Sequence, residues 1–310
     1  MSLPFYSASD VLSSVSMEEA IESMKTAYAG LSNGSAIVPN RINLPMDEEN
    51  ALHLSMPAYI TGGDYVTVKM VNVHYDNPDK GLPLINGVIL VMDAIEGKPL
   101  ALIEGKSVTA LRTGAASGLA TDLLANSDSR RAVVIGTGVQ AEMQIEAIKS
   151  VRDLEVINVW GRSEEKTAAF CDGYDELVQP SDGLNLKEVD IICTATTSET
   201  PLFDYDNISP GVHINAVGAH KPNSRELSTD LIRRGKVYID QLSSSKLEAG
   251  DILIPISEEN YDWDQIEGEL GDLVLGNIRG RISSEEITIF NSIGNAAQDL
   301  VIASLLMEKN

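Results

Sequence analysis

The sequence predicts an α/β protein in which a doubly wound, mostly parallel sheet is inserted into a smaller α+β domain. Beyond residue 130, five short apolar runs alternate with stretches long enough for crossover helices, which is typical of a parallel sheet. From 41 to about 104, β-like runs are separated by turn residues alone, which favours an antiparallel sheet. The final segment has helical periodicity and is expected to pack back on the N-terminal part.

The N-terminal part opens with an amphipathic helix at 16–34, which follows a serine and ends at Asn33-Gly34. Strands are then expected at 65–73, 83–94 and 99–105, between Asn-Pro, Lys-Gly and Glu-Gly turns. A helix rich in small residues is expected from about 107 to 125.

The second part begins at RRAVVIGTG. Its strands are expected at 131–135, 155–160, 189–194, 212–217 and 236–240. The helical segment EEITIFNSIGNAAQDLVIASLLME would then return to the first part. One domain is therefore expected to comprise residues 1–115 with 290–310, and the other residues 116–289.

Composition and charge limit the classes of function. With 310 residues, of which 43% are hydrophobic, the chain can bury two cores. The formal net charge of -23 is spread along the chain and would repel phosphate backbones, so nucleic acid is not an expected partner. The acidity fits either a saline habitat or the solvated face of an ordinary soluble enzyme.

Neither a membrane nor an exported location is expected. No apolar run reaches the roughly 18 residues that a spanning helix needs, and the N-terminus lacks the pattern of a signal peptide. Cys171 and Cys193 cannot form a disulfide framework, and four scattered histidines show no metal motif. These features predict a cytoplasmic protein without a metal site.

The run AVVIGTGVQAEMQIEAIKSV places a glycine motif between a strand and a helix. Gly136 permits a tight turn, Gly138 lets a pyrophosphate approach the backbone, and Ala141 lets the helix pack closely on the strand. This context predicts a Rossmann dinucleotide site, whereas without a ligand the motif is an ordinary βα turn. The expected pyrophosphate contacts are Gly136, Thr137, Gly138, Val139 and Gln140.

The end of the second strand indicates which nucleotide is bound. Gly161, Arg162 and Ser163 stand where an NAD site usually has an acid for the ribose hydroxyl. The guanidinium of Arg162 suits a 2′-phosphate by charge and shape, so NADPH is the expected cofactor. NADH is the alternative if Arg162 is an ordinary solvated loop residue or if Glu164 or Glu165 takes the place of the acid.

Further cofactor contacts are expected at the carboxyl ends of later strands. Thr194, Ala195 and Thr196 end one strand and Val217 ends the next, so ribose or nicotinamide contacts are expected there. The alternative for the threonines is a polar strand end that caps the following segment.

Five segments together resemble the ornithine cyclodeaminase and mu-crystallin family: KMVNVHYDNPDKGLP, ALIEGKSVTALRTGAASGLATDLL, VVIGTGVQA, INAVGAHKPNSREL and GRISSEEITIFNSIGNAAQDL. They cover nearly the whole chain in the family's order. The resemblance implies a substrate domain whose sheet dimerises, an inserted Rossmann domain, and chemistry on 2-imino or amino acids. It also implies nicotinamide contacts at Ser292 and Gly294.

Lys69 and Arg112 are the main candidates for chemistry. A strand lysine usually lies on a solvated face, but one whose pKa is lowered by burial can exchange protons with an imine nitrogen. Arg112 has no acid one helical turn away, so its partner is either a distant acid or a ligand carboxylate. The resemblance implies that Lys69 is catalytic and contacts substrate, and that Arg112 binds the substrate carboxylate.

Two further substrate contacts rest on the resemblance. Arg41 matches a second carboxylate-binding arginine of the family more loosely. His220 stands where ornithine cyclodeaminases carry an aspartate that handles the distal amine, so it is expected to line the pocket without transferring protons. Its presence argues against ornithine cyclisation.

We therefore expect a homodimer that reduces a cyclic 2-imino acid with NADPH, of the type Δ1-pyrroline-2-carboxylate to L-proline. Alanine dehydrogenase and ornithine cyclodeaminase are the alternatives within the enzyme class. A mu-crystallin-like NADPH-binding protein is the alternative outside it.

Overall fold

The computed structural model describes residues 3–310, which divide into two units. Unit 1 contains the chain up to Arg112 together with Asn295–Asn310, and unit 2 is Thr113–Gly294. Among the residues described, no helix combines the length and apolar character that crossing a membrane requires.

The strands, in chain order, are β1 (Phe5–Tyr6), β2 (Ala36–Ile37), β3 (Ile42–Met46), β4 (Ala51–Ile60), β5 (Tyr65–His74), β6 (Ile85–Asp93), β7 (Pro99–Glu104), β8 (Arg131–Ile135), β9 (Val156–Trp160), β10 (Val178–Pro180), β11 (Ile191–Thr194), β12 (His213–Ala216), β13 (Lys236–Ile239), β14 (Gly268–Glu269) and β15 (Thr288–Asn291). The α-helices are α1 (Ala8–Ser14), α2 (Met17–Asn33), α3 (Gly105–Leu124), α4 (Val139–Val151), α5 (Glu164–Cys171), α6 (Thr229–Arg234), α7 (Leu242–Glu248), α8 (Gly250–Ser257), α9 (Leu270–Val274) and α10 (Ala296–Lys309).

Unit 1 is built on a sheet of order β1-β7-β6-β5-β4-β2, with β3 also paired to β4. All neighbours are antiparallel except β1 and β7. The helices α2 and α10 pack together, and α10 also packs on β4 and β5. Met56 and Ala58 of β4 share a core with Ala296 and Leu300 of α10. The last helix is therefore part of the N-terminal fold.

Unit 2 contains a wholly parallel sheet of order β10-β9-β8-β11-β12-β15-β13-β14. Side chains of β8 alternate between two cores, with Val133 and Ile135 in one and Ala132 and Val134 in the other. Both faces are covered, as a doubly wound sheet requires. This arrangement confirms the predicted α/β fold and all five predicted strands.

The direction of strand order reverses at β8, which lies between β9 and β11. In open α/β sheets, ligands bind in the crevice outside the carboxyl ends of the strands at such a reversal. The glycine motif follows β8, and the segment at Ala195 follows β11. The topology therefore brings both predicted cofactor segments to the same sheet edge.

The prediction of a continuous helix over the last segment is wrong at its start. Thr288–Asn291 forms β15, which lies buried between β12 and β13, and the helix begins only at Ala296. A short apolar run in a central parallel strand lacks the alternation of a half-buried strand, so periodicity does not distinguish it from a helix. The chain consequently belongs to unit 2 up to Gly294.

Candidate active site

Lys69 is the centre of a buried polar cluster in unit 1. Alternate residues of β5 are buried, and Lys69 shares the buried face with Thr67 and Val71. Its side chain is 3% exposed, and its Nζ lies 2.7 Å from Oδ2 of Asp299, which is 1% exposed. The ammonium also donates a hydrogen bond to Thr109 Oγ1 of α3, at 3.3 Å. The alternative of a solvated lysine is therefore wrong.

The environment of Lys69 brings its pKa closer to neutral pH. Burial lowers the pKa of Lys69 to about 8. The negative charge of Asp299 opposes this fall, while the positive charges of Arg112 and Arg41 add to it. A lysine in this state can both hold and release a proton at physiological pH.

Arg112 lies beside the same carboxylate. Its Nη1 donates to Gln298 Oε1 at 2.7 Å, and its Nε lies 3.6 Å from Asp299 Oδ1. Gln298 in turn donates to the hydroxyl of Tyr28 at 2.6 Å. The Nε–H of Arg112 is buried and makes no hydrogen bond within residues 3–310, which is unusual for a buried donor. Arg112 thus has a distant acid as a neighbour and keeps a donor for a ligand.

Asp299 and Gln298 were not predicted from the sequence. Both lie in the first turn of α10, whose other buried positions are mostly apolar. The adjacent Gln-Asp pair in this apolar helix is the signal that could have indicated them, because buried polar residues need partners. Their partners lie far away along the chain, and Arg112 and Gln298 are 186 positions apart.

The other two predicted substrate contacts differ in their surroundings. Arg41 is half-buried just before β3 and near enough to Lys69 to lower its pKa. His220 is exposed in unit 2, in the loop after β12, where its Nδ1 lies 3.1 Å from the carbonyl oxygen of Gly218. Contact of either residue with substrate stays a prediction.

The glycine motif has the geometry of a nucleotide site. Gly136 has φ +134°, and a Cβ there would lie 2.6 Å from the carbonyl oxygen of Ala195. Gly138 precedes α4 without a side-chain cap, and a Cβ on it would meet open space. Ala141 is fully buried against the sheet.

The residues of this motif fit a dinucleotide. The first N–H groups of α4 have no capping side chain, and the helix dipole favours an anion at that end. Oε1 of Gln140 is buried without a hydrogen bond inside residues 3–310. Next to the motif, Thr137 is half-buried and Val139 exposed. Each predicted pyrophosphate contact therefore lies at or beside the helix terminus.

Arg162 and Ser163 lie between β9 and α5. Arg162 is exposed. Ser163 caps α5, since its hydroxyl accepts from the backbone N–H of Lys166 at 3.3 Å. A close approach near the motif occurs at Gly161, where a Cβ would lie 2.9 Å from the Thr137 side chain.

The threonines at the end of β11 are bound to a carboxylate. Thr194 Oγ1 and Thr196 Oγ1 donate to Glu226 at 2.7 and 2.6 Å. Val217, at the end of β12, is buried and donates its N–H to the carbonyl of Thr194. Glu226 was not predicted from the sequence.

The segment at Ser292 and Gly294 is held in the same manner. Oδ2 of Asp240 accepts from Ser292 Oγ and from the N–H groups of Ile293 and Gly294, at 2.9, 2.8 and 2.7 Å. Gly294 has φ +73°, which favours glycine. Asp240 was also not predicted, although an acid directly after a buried strand is a recognisable signal.

The family model described as the ornithine cyclodeaminase/mu-crystallin family matches residues 3–310. The chain belongs to this family. It is 37% identical over 310 residues to a Δ(1)-pyrroline-2-carboxylate reductase of Bacillus cereus, with 98% of this chain and 95% of that protein covered.

Solved structures of similar proteins have the same fold. Thermococcus litoralis Δ(1)-pyrroline-2-carboxylate reductase, in complex with NADH and L-proline, matches with a TM-score of 0.93 at 37% identity, covering 99% of this chain and 97% of that chain. An archaeal alanine dehydrogenase dimer with bound NAD also has a TM-score of 0.93, at 31% identity, covering 100% and 96%.

The residues of the unit 1 cluster are capable of two chemical tasks. Lys69 can exchange a proton with a nitrogen, because its pKa of about 8 lies near physiological pH. Arg112 can bind a carboxylate, because guanidinium and carboxylate form paired charge-assisted hydrogen bonds. Because both groups lie beside the carboxylate of Asp299, a small substrate could contact Lys69 through its nitrogen and Arg112 through its carboxylate.

Proposed function

We propose that this protein reduces Δ1-pyrroline-2-carboxylate to L-proline with a nicotinamide cofactor. The observation that carries the proposal is the buried triad of Lys69, Asp299 and Arg112, with ionic distances of 2.7 and 3.6 Å. The relatives that are 37% identical over almost the whole chain are reductases of this imino acid. One of them has been solved with NADH and L-proline.

Each residue of the triad has a distinct task in the proposed reaction. A bound nicotinamide supplies the hydride that reaches the imine carbon. Arg112 binds the substrate carboxylate, with Arg41 as a second contact, and so fixes which carbon is presented. Lys69 keeps the imine nitrogen protonated, directly or through water, which makes the carbon more electrophilic.

Asp299 sets the charge of this site. Without its carboxylate, two cations would be buried side by side, and burial alone would favour the neutral lysine. By raising the pKa of Lys69 against burial, Asp299 keeps the ammonium form available at neutral pH. Its contact with Arg112 restrains the guanidinium in the same position.

NADPH is the proposed cofactor. The exposed guanidinium of Arg162 follows β9, where an acid would favour NADH instead. The pyrophosphate contacts are assigned to the first turn of α4, and further contacts to the segments after β11, β12 and β15. The assigned nucleotide contacts thus belong to unit 2, and the assigned carboxylate and proton contacts, Arg112, Arg41 and Lys69, to unit 1.

We also propose a homodimer that forms through unit 1. Ile42 and Leu44 are exposed at alternate positions of β3, and Leu82 and Leu84 are exposed in the turn between β5 and β6. The archaeal alanine dehydrogenase that has the same fold was solved as a dimer, which supports the proposal. A cytoplasmic location stays a prediction.

A substrate panel tests the function. We expect NADPH oxidation with Δ1-pyrroline-2-carboxylate, and much slower oxidation with pyruvate and ammonia, the pair that alanine dehydrogenase uses. Ornithine with NAD should release negligible ammonia. The second ammonium group of ornithine would face His220, where ornithine cyclodeaminases carry an aspartate. The free energy of burying an unpaired ammonium is large enough to lower turnover about a thousandfold.

Three results of this panel would contradict the proposal. Faster turnover of pyruvate with ammonia would make the protein an alanine dehydrogenase. Robust conversion of ornithine to proline would make it a cyclodeaminase. Nucleotide binding without turnover of any member would favour a binding protein of the mu-crystallin kind.

A further inference from the structure

Glu226 is a fully buried carboxylate that no cofactor motif includes. It lies in the segment between β12 and α6, and it accepts hydrogen bonds from two neighbouring strand ends. Beyond β11, its Oε1 accepts from the N–H and the hydroxyl of Thr196, at 2.7 and 2.6 Å. Its Oε2 accepts from Thr194 Oγ1 and from the N–H of Gly218 after β12, at 2.7 and 2.8 Å.

A second buried carboxylate holds Glu226 itself. Oδ1 of Asp251, in α8, accepts from the N–H groups of Glu226 and Leu227, both at 2.8 Å. Its Oδ2 accepts from Asn291, the last residue of β15, at 3.0 Å. The two acids therefore join the carboxyl ends of β11, β12 and β15, the edge of the sheet where a dinucleotide binds.

The backbone packs closely around both acids. A Cβ on Gly218 would lie 2.5 Å from Glu226 Oε1 and 2.3 Å from the carbonyl oxygen of Thr196. A Cβ on Gly250, next to Asp251, would lie 2.0 Å from the carbonyl oxygen of Ser224. Both glycines allow the loops to close around the acids.

Such an arrangement is costly for a purely structural element. Burial raises the pKa of the Glu226 carboxyl, and burial together with the nearby Glu226 raises the pKa of Asp251 to about 7. Burying two acids disfavours their ionised forms, and apolar packing would stabilise a sheet edge at less expense in free energy. Groups of this kind concentrate at functional sites.

We propose that Glu226 is a positioning residue for the nicotinamide half of the cofactor and that Asp251 supports it. The inference rests on the proposed reduction. Thr194 Oγ1 and Thr196 Oγ1 donate their protons to Glu226, which fixes the orientation of both side chains and of the strand ends that carry the predicted cofactor contacts. Glu226 fixes those segments, and thereby the position of the nicotinamide on unit 2.

The test compares Glu226→Gln with a matched control on the same sheet. Asp190→Asn alters a carboxylate that precedes β11 and accepts from the N–H groups of Arg130 and Arg131, at 2.7 and 2.9 Å. It therefore lies at the amino end of the strands, away from the nucleotide edge. Calorimetric binding of NADPH, steady-state kcat and the isotope effect with 4-deuterated NADPH are measured for each protein.

We expect Glu226→Gln to weaken NADPH about 10-fold and to lower kcat about 100-fold, the scale of a misplaced reacting group. Its isotope effect should rise, because hydride transfer becomes the slow step. Asp190→Asn should stay within about twofold of the unaltered protein in all three. If Glu226→Gln does not fold, Thr194→Val removes one of the four donors and should lower kcat about fivefold.

Normal binding and kcat in Glu226→Gln, or in Thr194→Val when only that variant folds, would overturn the inference while the function stands. Equal losses in Glu226→Gln and Asp190→Asn would also overturn it, since they would indicate general destabilisation. If the unaltered protein bound neither NADPH nor NADH, the proposed function would fail and the inference with it.

Discussion

Asp299→Asn removes the negative charge 2.7 Å from Lys69 Nζ while preserving the size of the side chain. The carboxylate raises the pKa of Lys69, and burial and the neighbouring arginines lower it. In the variant the attraction of that charge is lost, while burial and the arginines still lower the pKa. The pKa of Lys69 should therefore fall below about 8.

The magnitude follows from the distance. Two unit charges 2.7 Å apart attract by about 6 kcal/mol at an effective dielectric constant of about 20, before desolvation is counted. Measured shifts from one close opposite charge are about 1–3 pKa units. With a fall of about 2 units, the protonated fraction at pH 8 would drop about 50-fold, but at pH 6 only about twofold.

The assay is the pH profile of imine reduction, with kcat/KM followed through NADPH absorbance. In the proposed reaction, reduction needs the ammonium form of Lys69, so activity should be lost as pH rises through the pKa of Lys69, about 8 in the unaltered protein. In Asp299→Asn this alkaline limb should move to lower pH. The reverse reaction, oxidation of L-proline, needs the neutral form of Lys69 as the proton acceptor. Because the variant contains more of this form at neutral pH, its proline oxidation should fall less than its imine reduction.

Glu19→Gln is the control. It breaks an exposed ion pair between Glu19 of α2 and Lys309, which lies in α10 like Asp299. It should leave the profile unchanged. An alkaline limb in Asp299→Asn that coincides with that of the unaltered protein would refute the reasoning, whatever the change in kcat. Melting curves of both variants ensure that folded proteins are compared.

Two predictions concern single side chains. Lys69→Met keeps most of the stem without the ionisable group, so imine reduction should fall by about 100-fold or more while NADPH binding by fluorescence titration is retained; near-normal turnover would show that Lys69 is not the proton donor. Arg162→Ala should weaken NADPH by about 1–3 kcal/mol and leave NADH nearly unchanged, as measured by calorimetry. Equal affinities of the unaltered protein for the two nucleotides would contradict the assignment to Arg162.

Features that depend on neighbours in sequence were predictable. The turn at Gly136 and the helix that follows it occupy one continuous stretch, so residue type and spacing together specify the strand, the turn and the helix start. The parallel strands at 131–135 and 155–160 were predicted for the same reason. Strand Thr288–Asn291 was missed because a short buried apolar run is compatible with both periodicities.

Residue type and resemblance to a family also led to the prediction that Lys69 and Arg112 have chemical roles. Only the tertiary structure decided what surrounds them. Asp299 becomes the neighbour of Lys69 because α10 returns to pack on β5, and Glu226 reaches two strand ends because parallel strands finish at one edge. Electrostatic interactions depend on distance in space and on burial, and neither quantity is expressed in the local order of residues.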